Sequence, residues 1–169
     1  VSSDYIIIHA GSGNSAPNLN VEQYQILAET ILQEIGWQIL QTGSSSEAEI
    51  NQHLVDKISG NRILDFSGKL NLVQLMECIS NARLLITSST GPLHLADAQN
   101  TPVLGFFCPL PPHTPVRWGP YQQREWVVSP DLKSPDRCRM KDCPYGGCLQ
   151  QLSSSQIVEA LEQRLKELN

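Results

Sequence analysis

Three small residues that can form hydrogen bonds, Ser89, Thr90 and Gly91, stand directly before Pro92 near the middle of the chain. The apolar residues 84–87 are typical of a buried strand, and proline is favoured in the first turn of a helix. Unpaired backbone N–H groups at a helix N-terminus attract anions, because the helix dipole also favours negative charge there. We therefore expect these four residues to bind a phosphate. Gly91 would allow close approach of the backbone and the φ values that tight turns often need.

A glycine-rich loop containing Gly11 and Ser12 follows the first apolar run. Its Gly-x-Gly-x-x-Ala pattern superficially fits a dinucleotide-binding fingerprint. Pro17 delays the following helix, however, and the second predicted strand ends at Thr42 without the acidic residue that would bind a ribose. The sequence thus argues against a nicotinamide oxidoreductase. Two interpretations of Gly11 and Ser12 remain, a plain turn or a loop that faces a ligand.

Lys69 follows Gly68 directly after the third predicted strand. A Walker motif needs two glycines in the spacing G-x-x-x-x-G-K-[ST], so this loop is not a P-loop. Lys69 is either a phosphate partner or a solvated loop lysine, and most lysines in proteins are solvated.

Strand-like apolar runs alternate with segments of helical periodicity along the chain. This alternation predicts right-handed crossovers and an α/β fold with a Rossmann-like, doubly wound parallel sheet. The predicted strands are residues 5–9, 37–42, 63–67, 84–87 and 103–107, with a short sixth at 126–128. The predicted helix-start pairs are Asn20/Gln23, Ser46/Glu49 and Asn71/Gln74. A cysteine-bearing loop at 137–150 and a final helix at 153–168 complete one predicted domain over residues 1–169.

Composition and charge agree with one globular domain. The 169 residues are 40% hydrophobic and 17% charged, which is enough material for a single core. The net charge is −5 and the basic residues are scattered, so we expect no nucleic-acid partner. The apolar runs have strand length, so no transmembrane segment is expected. Because the chain begins at Val1 and opens almost directly into a strand, we expect it to be part of a longer protein.

Three cysteines, Cys138, Cys143 and Cys148, lie in the loop before the final helix. They lack the C-x-x-C spacing of zinc sites and no histidine lies nearby, so we expect no metal there. If they are exposed loop residues, replacing them by serine should hardly change stability. We expect Cys78 and Cys108 in or near the core, as is common for cysteines outside disulfides.

The segment from Thr90 to Ala96, Thr-Gly-Pro-Leu-His-Leu-Ala, resembles the second half of glycosyltransferase family 9, as does the order of segments from Ile6 to the last helix. This family contains the ADP-heptose:lipopolysaccharide heptosyltransferases of bacteria. The resemblance implies the C-terminal, donor-binding half of the two-domain GT-B fold. It also implies inverting sugar transfer from a nucleoside diphosphate such as ADP-heptose, without a cofactor, in cell-surface glycan or lipopolysaccharide synthesis.

The same resemblance implies that an N-terminal acceptor-binding domain, absent from this chain, supplies the rest of the active site. No catalytic residue is therefore assigned, and the chain alone is expected to be inactive. The resemblance places the protein in the cytoplasm. Association with the inner face of the membrane could come through the missing half.

Three further candidates come from positions that match the family. Glu47 matches an acid that faces the nucleoside, although a solvated glutamate in a first helical turn is an equal alternative. Leu70 matches an apolar residue that borders the adenine. His94, one turn into the helix after Gly91, either orients the loop or is a packed residue with a backbone partner.

Two departures from the family pattern weaken the expected donor binding. Ser89 stands where family members usually have an aspartate, and no lysine occurs around Ala16, where they commonly have one. A missing charge-assisted contact to a diphosphate costs about 1.5–3 kcal/mol in a favourable site. A non-catalytic ligand-binding module that kept the fold is therefore the alternative to a transferase.

Overall fold

The structure is a computed structural model, which describes residues 4–58, 62–132 and 139–168. Six parallel strands form one sheet in the order β3-β2-β1-β4-β5-β6. The strands are β1 (Tyr5–His9), β2 (Gln38–Thr42), β3 (Ile63–Asp65), β4 (Leu84–Ser88), β5 (Val103–Phe106) and β6 (Val127–Val128). The helices are α1 (Val21–Glu34), α2 (Ala48–Lys57), α3 (Leu72–Ser80), α4 (Gly91–Ala98), α5 (Pro115–Trp118) and α6 (Ser154–Leu168). The predicted α/β fold with a doubly wound parallel sheet is confirmed.

Successive residues of β1 point to opposite sides of the sheet, as the strand geometry requires. Ile6 and Ile8 pack in one buried layer, whereas Ile7 packs in the other. The first layer is completed by apolar residues of α1, α2 and α6, and the second by residues of α3 and α4. Helices on both faces explain why the strands are apolar without alternation.

Two of the three predicted helix starts are confirmed, since Asn20 and Asn71 each form a complete capping box. The predicted pair Ser46/Glu49 is wrong. The capping box there joins Ser44 and Glu47, because a short 3₁₀ turn precedes α2.

The third strand is shorter than predicted. A carboxylate oxygen of Asp65 accepts hydrogen bonds from the backbone N–H (2.9 Å) and the hydroxyl (2.6 Å) of Ser67, so a turn replaces the end of the strand. The second strand begins at Gln38 rather than at Trp37.

The sheet changes winding direction between β1 and β4, which are neighbours although three helices and two strands separate them in sequence. His9 is paired with Thr42 on one side and with Thr87 on the other, so the carboxyl ends of three strands lie together. In open α/β sheets, ligands bind in the crevice at this switch point. Within the described residues, no helix is long and apolar enough to cross a membrane.

Candidate functional site

A crevice opens at the carboxyl edge of the sheet, above the switch point. Its first part has a volume of about 390 Å³ and is formed by the loops after β1, β2, β3 and β4. A second part of about 340 Å³ continues between the loop after β4 and helix α5. The two parts share Ser15, Thr90 and Gly91. The candidate residues that line the crevice are Gly11, Ser12, Glu47, Leu70, Ser89, Thr90, Gly91, Pro92 and His94.

The predicted phosphate-binding stretch lies where the two parts of the crevice meet. Gly91 is the first residue of α4, and Thr90 precedes it in an extended conformation without capping the helix through its side chain. The Thr90 hydroxyl instead bonds to the Thr87 hydroxyl at 2.9 Å, which in turn donates to the His9 carbonyl at 3.0 Å. This chain of bonds fixes the turn while the N-terminus of α4 stays open to an anion.

The expectation that position 91 requires an unusual φ is wrong. Gly91 is a residue of α4 and is not among the glycines with positive φ. A Cβ atom added at Gly91 would meet no atom within 4 Å. A side chain there would therefore obstruct the ligand space without straining the backbone.

The carboxylate of Glu47 joins the first two loops of the crevice. It accepts hydrogen bonds from the backbone N–H of Gly13 at 2.9 Å and from the N–H and hydroxyl of Ser44 at 2.8 and 2.7 Å. Partial burial acts to raise the pKa of Glu47, but the bonds from Gly13 and Ser44 outweigh it and lower this pKa. Glu47 lies in a first helical turn, yet its carboxylate is engaged by two loops rather than freely solvated.

Gly11 lies directly beneath the Glu47 carboxylate. A Cβ atom at Gly11 would stand 2.1 Å from the carboxyl carbon, so any other residue at position 11 would require the Glu47 side chain to move. Gly11 therefore lets the loop after β1 pack against the Glu47 side chain of the loop after β2.

His9 borders the crevice although the sequence analysis did not select it. Its Nδ1 atom lies 2.9 Å from the Thr42 hydroxyl. Burial lowers the pKa of His9 to about 4, against the opposing effect of the Glu47 charge. His9 is consequently neutral at pH 7. Its place as the last residue of β1, at the edge where ligands bind, was the available signal.

Lys69 does not line either part of the crevice. Its ammonium group donates to the Asp65 carbonyl oxygen at 2.7 Å and lies 3.9 Å from the Asp65 carboxylate. Leu70 does line the crevice and forms an apolar wall together with Phe66 and Leu75, which the sequence analysis did not single out.

His94 is exposed and lines the second part of the crevice, so the interpretation as a packed helical residue is wrong. His113, Arg117 and Trp118, from the proline-dense segment 109–120, line the same space. Long loops of this kind in compact domains are often functional, but no motif singled out these three residues.

Asn18 holds the surrounding loops together, which the sequence analysis missed. Its side-chain oxygen accepts hydrogen bonds from the hydroxyls of Tyr24 (2.6 Å) and Ser88 (2.5 Å), and its amide donates to the carbonyl of Ala10. One side chain thus connects the loop after β1, helix α1 and the end of β4.

The cysteine-bearing loop differs from the expectation. Cys148 is buried in the core and Cys143 is half-buried, whereas Cys138 lies outside the described residues. Cys148 is therefore a packing residue and not an exposed loop residue. Cys108 is buried and Cys78 is half-buried, as predicted. Among the residues that the structure describes, no group of three His, Cys, Asp or Glu side chains could hold a metal ion.

Comparison with known proteins decides the family. Residues 2–148 match glycosyltransferase family 9 (heptosyltransferase). The chain belongs to glycosyltransferase family 9. A Haemophilus influenzae protein named as an inferred glycosyltransferase is 34% identical over 116 residues, which cover 69% of this chain and 34% of that protein. The lipopolysaccharide core heptosyltransferase OpsX of the same species is 36% identical over 88 residues, covering 50% of this chain and 24% of that protein.

The fold is that of solved family 9 enzymes. The structure of Escherichia coli ADP-heptose lipopolysaccharide heptosyltransferase II superposes with a TM-score of 0.77 at 18% identity. The superposition covers 97% of this chain and 47% of the enzyme. The family match confirms the family 9 resemblance, and the superposition confirms the GT-B type of Rossmann-like fold. The chain spans about a third or less of the two Haemophilus relatives that it matches.

Proposed function

We propose that this domain binds the nucleoside-diphosphate sugar donor of a family 9 glycosyltransferase. The observation that carries the proposal is the crevice itself, where loops from four parallel strands meet the open N-terminus of α4. Such a position favours an anion because of the unpaired N–H groups and the helix dipole. Ser89, Thr90 and Gly91 would contact the diphosphate, and Pro92 would start the helix that presents them.

The nucleoside would occupy the end of the crevice between β2 and β3. Phe66, Leu70 and Leu75 give this end an apolar wall suited to a base. Glu47 stands opposite as an ionised carboxylate and could accept hydrogen bonds from ribose hydroxyls. Gly11 and Ser12 would cover the ligand from the side of β1. The donor named for the solved heptosyltransferase is ADP-heptose, and we propose ADP-heptose or a similar compound here.

Sugar transfer with inversion would then require a second domain that brings the acceptor to this crevice. That domain would supply the general base for the acceptor hydroxyl, so no residue of this chain is assigned a catalytic role and no cofactor is invoked. The names of the relatives support an acceptor in lipopolysaccharide synthesis. We place the reaction in the cytoplasm, with peripheral contact to the inner face of the membrane through the second domain.

A non-catalytic binding module is the second candidate, because two features of the family pattern are missing. No lysine occurs around Ala16, and Ser89 replaces the usual aspartate. Ser89 adds no charge. A domain of this kind would retain a nucleotide weakly and transfer nothing.

Transferase assays separate the two candidates. We expect the 169-residue chain to show no transfer, because donor and acceptor must be held in one geometry. A longer protein that contains the chain and a second Rossmann-like domain should transfer sugar from ADP-heptose to a lipopolysaccharide precursor. Equal turnover by both would contradict the two-domain proposal, and donor binding without turnover in the longer protein would support the non-catalytic module.

A further inference from the structure

Positive charge is distributed unequally along the crevice. The lining residues of the first part include the Glu47 carboxylate and the neutral His9, and none of those described is a lysine or arginine. In the second part, Arg117 is the one described lining residue with a permanent positive charge. Arg139 lines a neighbouring cavity of about 870 Å³ on the other side of Gly11 and Glu47, and that cavity does not include Thr90 or Gly91. Of the two parts that meet at Thr90 and Gly91, the Arg117 end therefore attracts the two or more negative charges of a diphosphate.

Hydrogen bonds close the turn that carries Arg117. The Thr114 carbonyl accepts from the N–H groups of Arg117 and Trp118 at 3.1 and 3.0 Å, and the Gly119 N–H donates to Pro115 at 2.8 Å. The Trp118 indole N–H donates to the Pro112 carbonyl at 3.0 Å. These bonds form α5, a single helical turn beside the crevice.

The guanidinium group of Arg117 is positioned but not neutralised. Its central carbon lies 5.0 Å from the centre of the Trp118 ring, which orients the planar group through a cation–π contact. No carboxylate of the described residues lies within ion-pair distance of Arg117. Its N–H donors can therefore take two oxygens of one phosphate, which is the geometry that distinguishes arginine from lysine.

We propose that Arg117 is the cation that binds the diphosphate of the donor, acting across the crevice from Thr90 and Gly91. The inference rests on the proposed function and deepens it. It also orients the donor: the base lies towards Leu70, and the sugar lies towards Trp118 and the exposed surface of α5. Arg117 is thus a binding residue for the β-phosphate and a determinant of diphosphate over unphosphorylated nucleoside.

Arg117→Gln tests the proposal, with Arg124→Gln as the matched control. Arg124 is also exposed and lies over an aromatic ring, that of Tyr121 at 5.9 Å, but it lines neither part of the crevice. ADP and adenosine are titrated into each variant of the 169-residue chain, and the amide NMR shifts of Gly91 and Leu70 are followed. We expect Arg117→Gln to weaken ADP binding about tenfold or more, as loss of a charge-assisted contact does. Adenosine binding should be unchanged, and Arg124→Gln should bind both as the original chain does.

Arg117→Lys keeps the charge without the planar donors and should lose less affinity for ADP than Arg117→Gln. ADP binding that is unchanged in Arg117→Gln, or an equal loss for ADP and adenosine, would overturn the role of Arg117 while leaving the proposed function intact. If the original chain binds neither ligand at several millimolar, the proposed function fails and the inference fails with it. An amide spectrum unchanged outside α5 verifies that each variant is folded.

Discussion

Replacing Glu47 by glutamine removes the charge that holds the first two loops of the crevice together. The carboxylate receives three hydrogen bonds, one from Gly13 across the crevice and two from Ser44 within its own loop. A glutamine side chain has nearly the same shape, but its single amide oxygen is neutral and cannot serve all three donors equally well. The substitution therefore removes the charge and one of the two acceptor oxygens while keeping the shape of the side chain.

The expected cost is modest because Glu47 is partly exposed to solvent. Charge-assisted hydrogen bonds contribute about 1.5–3 kcal/mol each when buried, and less in contact with water. We expect Glu47→Gln to lower the free energy of unfolding by about 1–2 kcal/mol in total. For a domain of this size the midpoint of thermal unfolding should fall by about 2–8 °C.

The stability lost in Glu47→Gln should be larger at neutral pH than at acidic pH. Burial acts to raise the pKa of Glu47 in the folded state, but the hydrogen bonds from Gly13 and Ser44 outweigh it. This pKa is therefore lowered from the ordinary value of 4.5. A group with a lowered folded-state pKa stabilises the protein above its unfolded-state pKa, and this contribution is lost as pH falls through the folded-state value. The difference between the original chain and Glu47→Gln should thus be full at pH 7 and shrink below pH 4.5.

Thermal unfolding followed by circular dichroism at neutral and acidic pH checks this reasoning. Glu34→Gln, which removes an exposed charge from the last turn of α1, is the control and should change stability by less than about 0.5 kcal/mol. Equal midpoints for Glu47→Gln and the original chain at pH 7 would refute the reasoning. So would a difference that stays constant from neutral pH into the acid range.

Substitutions elsewhere in the domain also have expected outcomes. Gly91→Val should abolish ADP binding in an NMR titration, because the valine side chain would enter open space in the crevice. Its thermal midpoint should stay within a few degrees of that of the original chain. ADP binding retained in this variant would contradict the site. Cys148→Ser should cost about 1–2 kcal/mol in urea unfolding under reducing conditions, because a hydroxyl replaces a buried sulfur, whereas Cys143→Ser should be nearly neutral. Asn18→Ala should cost about 2–4 kcal/mol by removing the shared acceptor of two hydroxyls and the donor to the Ala10 carbonyl; equal urea midpoints for the original chain and Asn18→Ala would contradict this role.

The sequence was sufficient for the architecture because the signals for strands and helix starts are local. The continuous apolar run of β1 follows from burial on both faces, and Asn20 and Gln23 form the expected capping box. The helix start predicted at Ser46 is wrong because two overlapping pairs, Ser44/Glu47 and Ser46/Glu49, have the same residue types and spacing. Ser44 and Glu47 form the capping box because the chain makes a 3₁₀ turn before the α-helix begins.

The site was only partly predictable, because several of its decisive contacts join distant residues. Glu47 bonds to Gly13 across 34 positions of sequence, and nothing local indicates that pairing. Arg117 reaches the crevice from a proline-dense segment without a motif. Cys148 was placed in an exposed loop, although tertiary packing buries it against the core. Local patterns could name the loops of the site but not the contacts between them.

The proposals for this domain all require that a nucleoside diphosphate binds at the switch-point crevice. An amide NMR titration of the 169-residue chain with ADP, and with UDP and GDP for comparison, measures this binding. With half of the proposed active site absent, we expect a dissociation constant nearer millimolar than micromolar, equivalent to about −4 to −6 kcal/mol. Shifts should appear at residues 11–14, 43–47, 68–70 and 89–93. A folded chain in which none of these four loops responds at several millimolar nucleotide would contradict the claim.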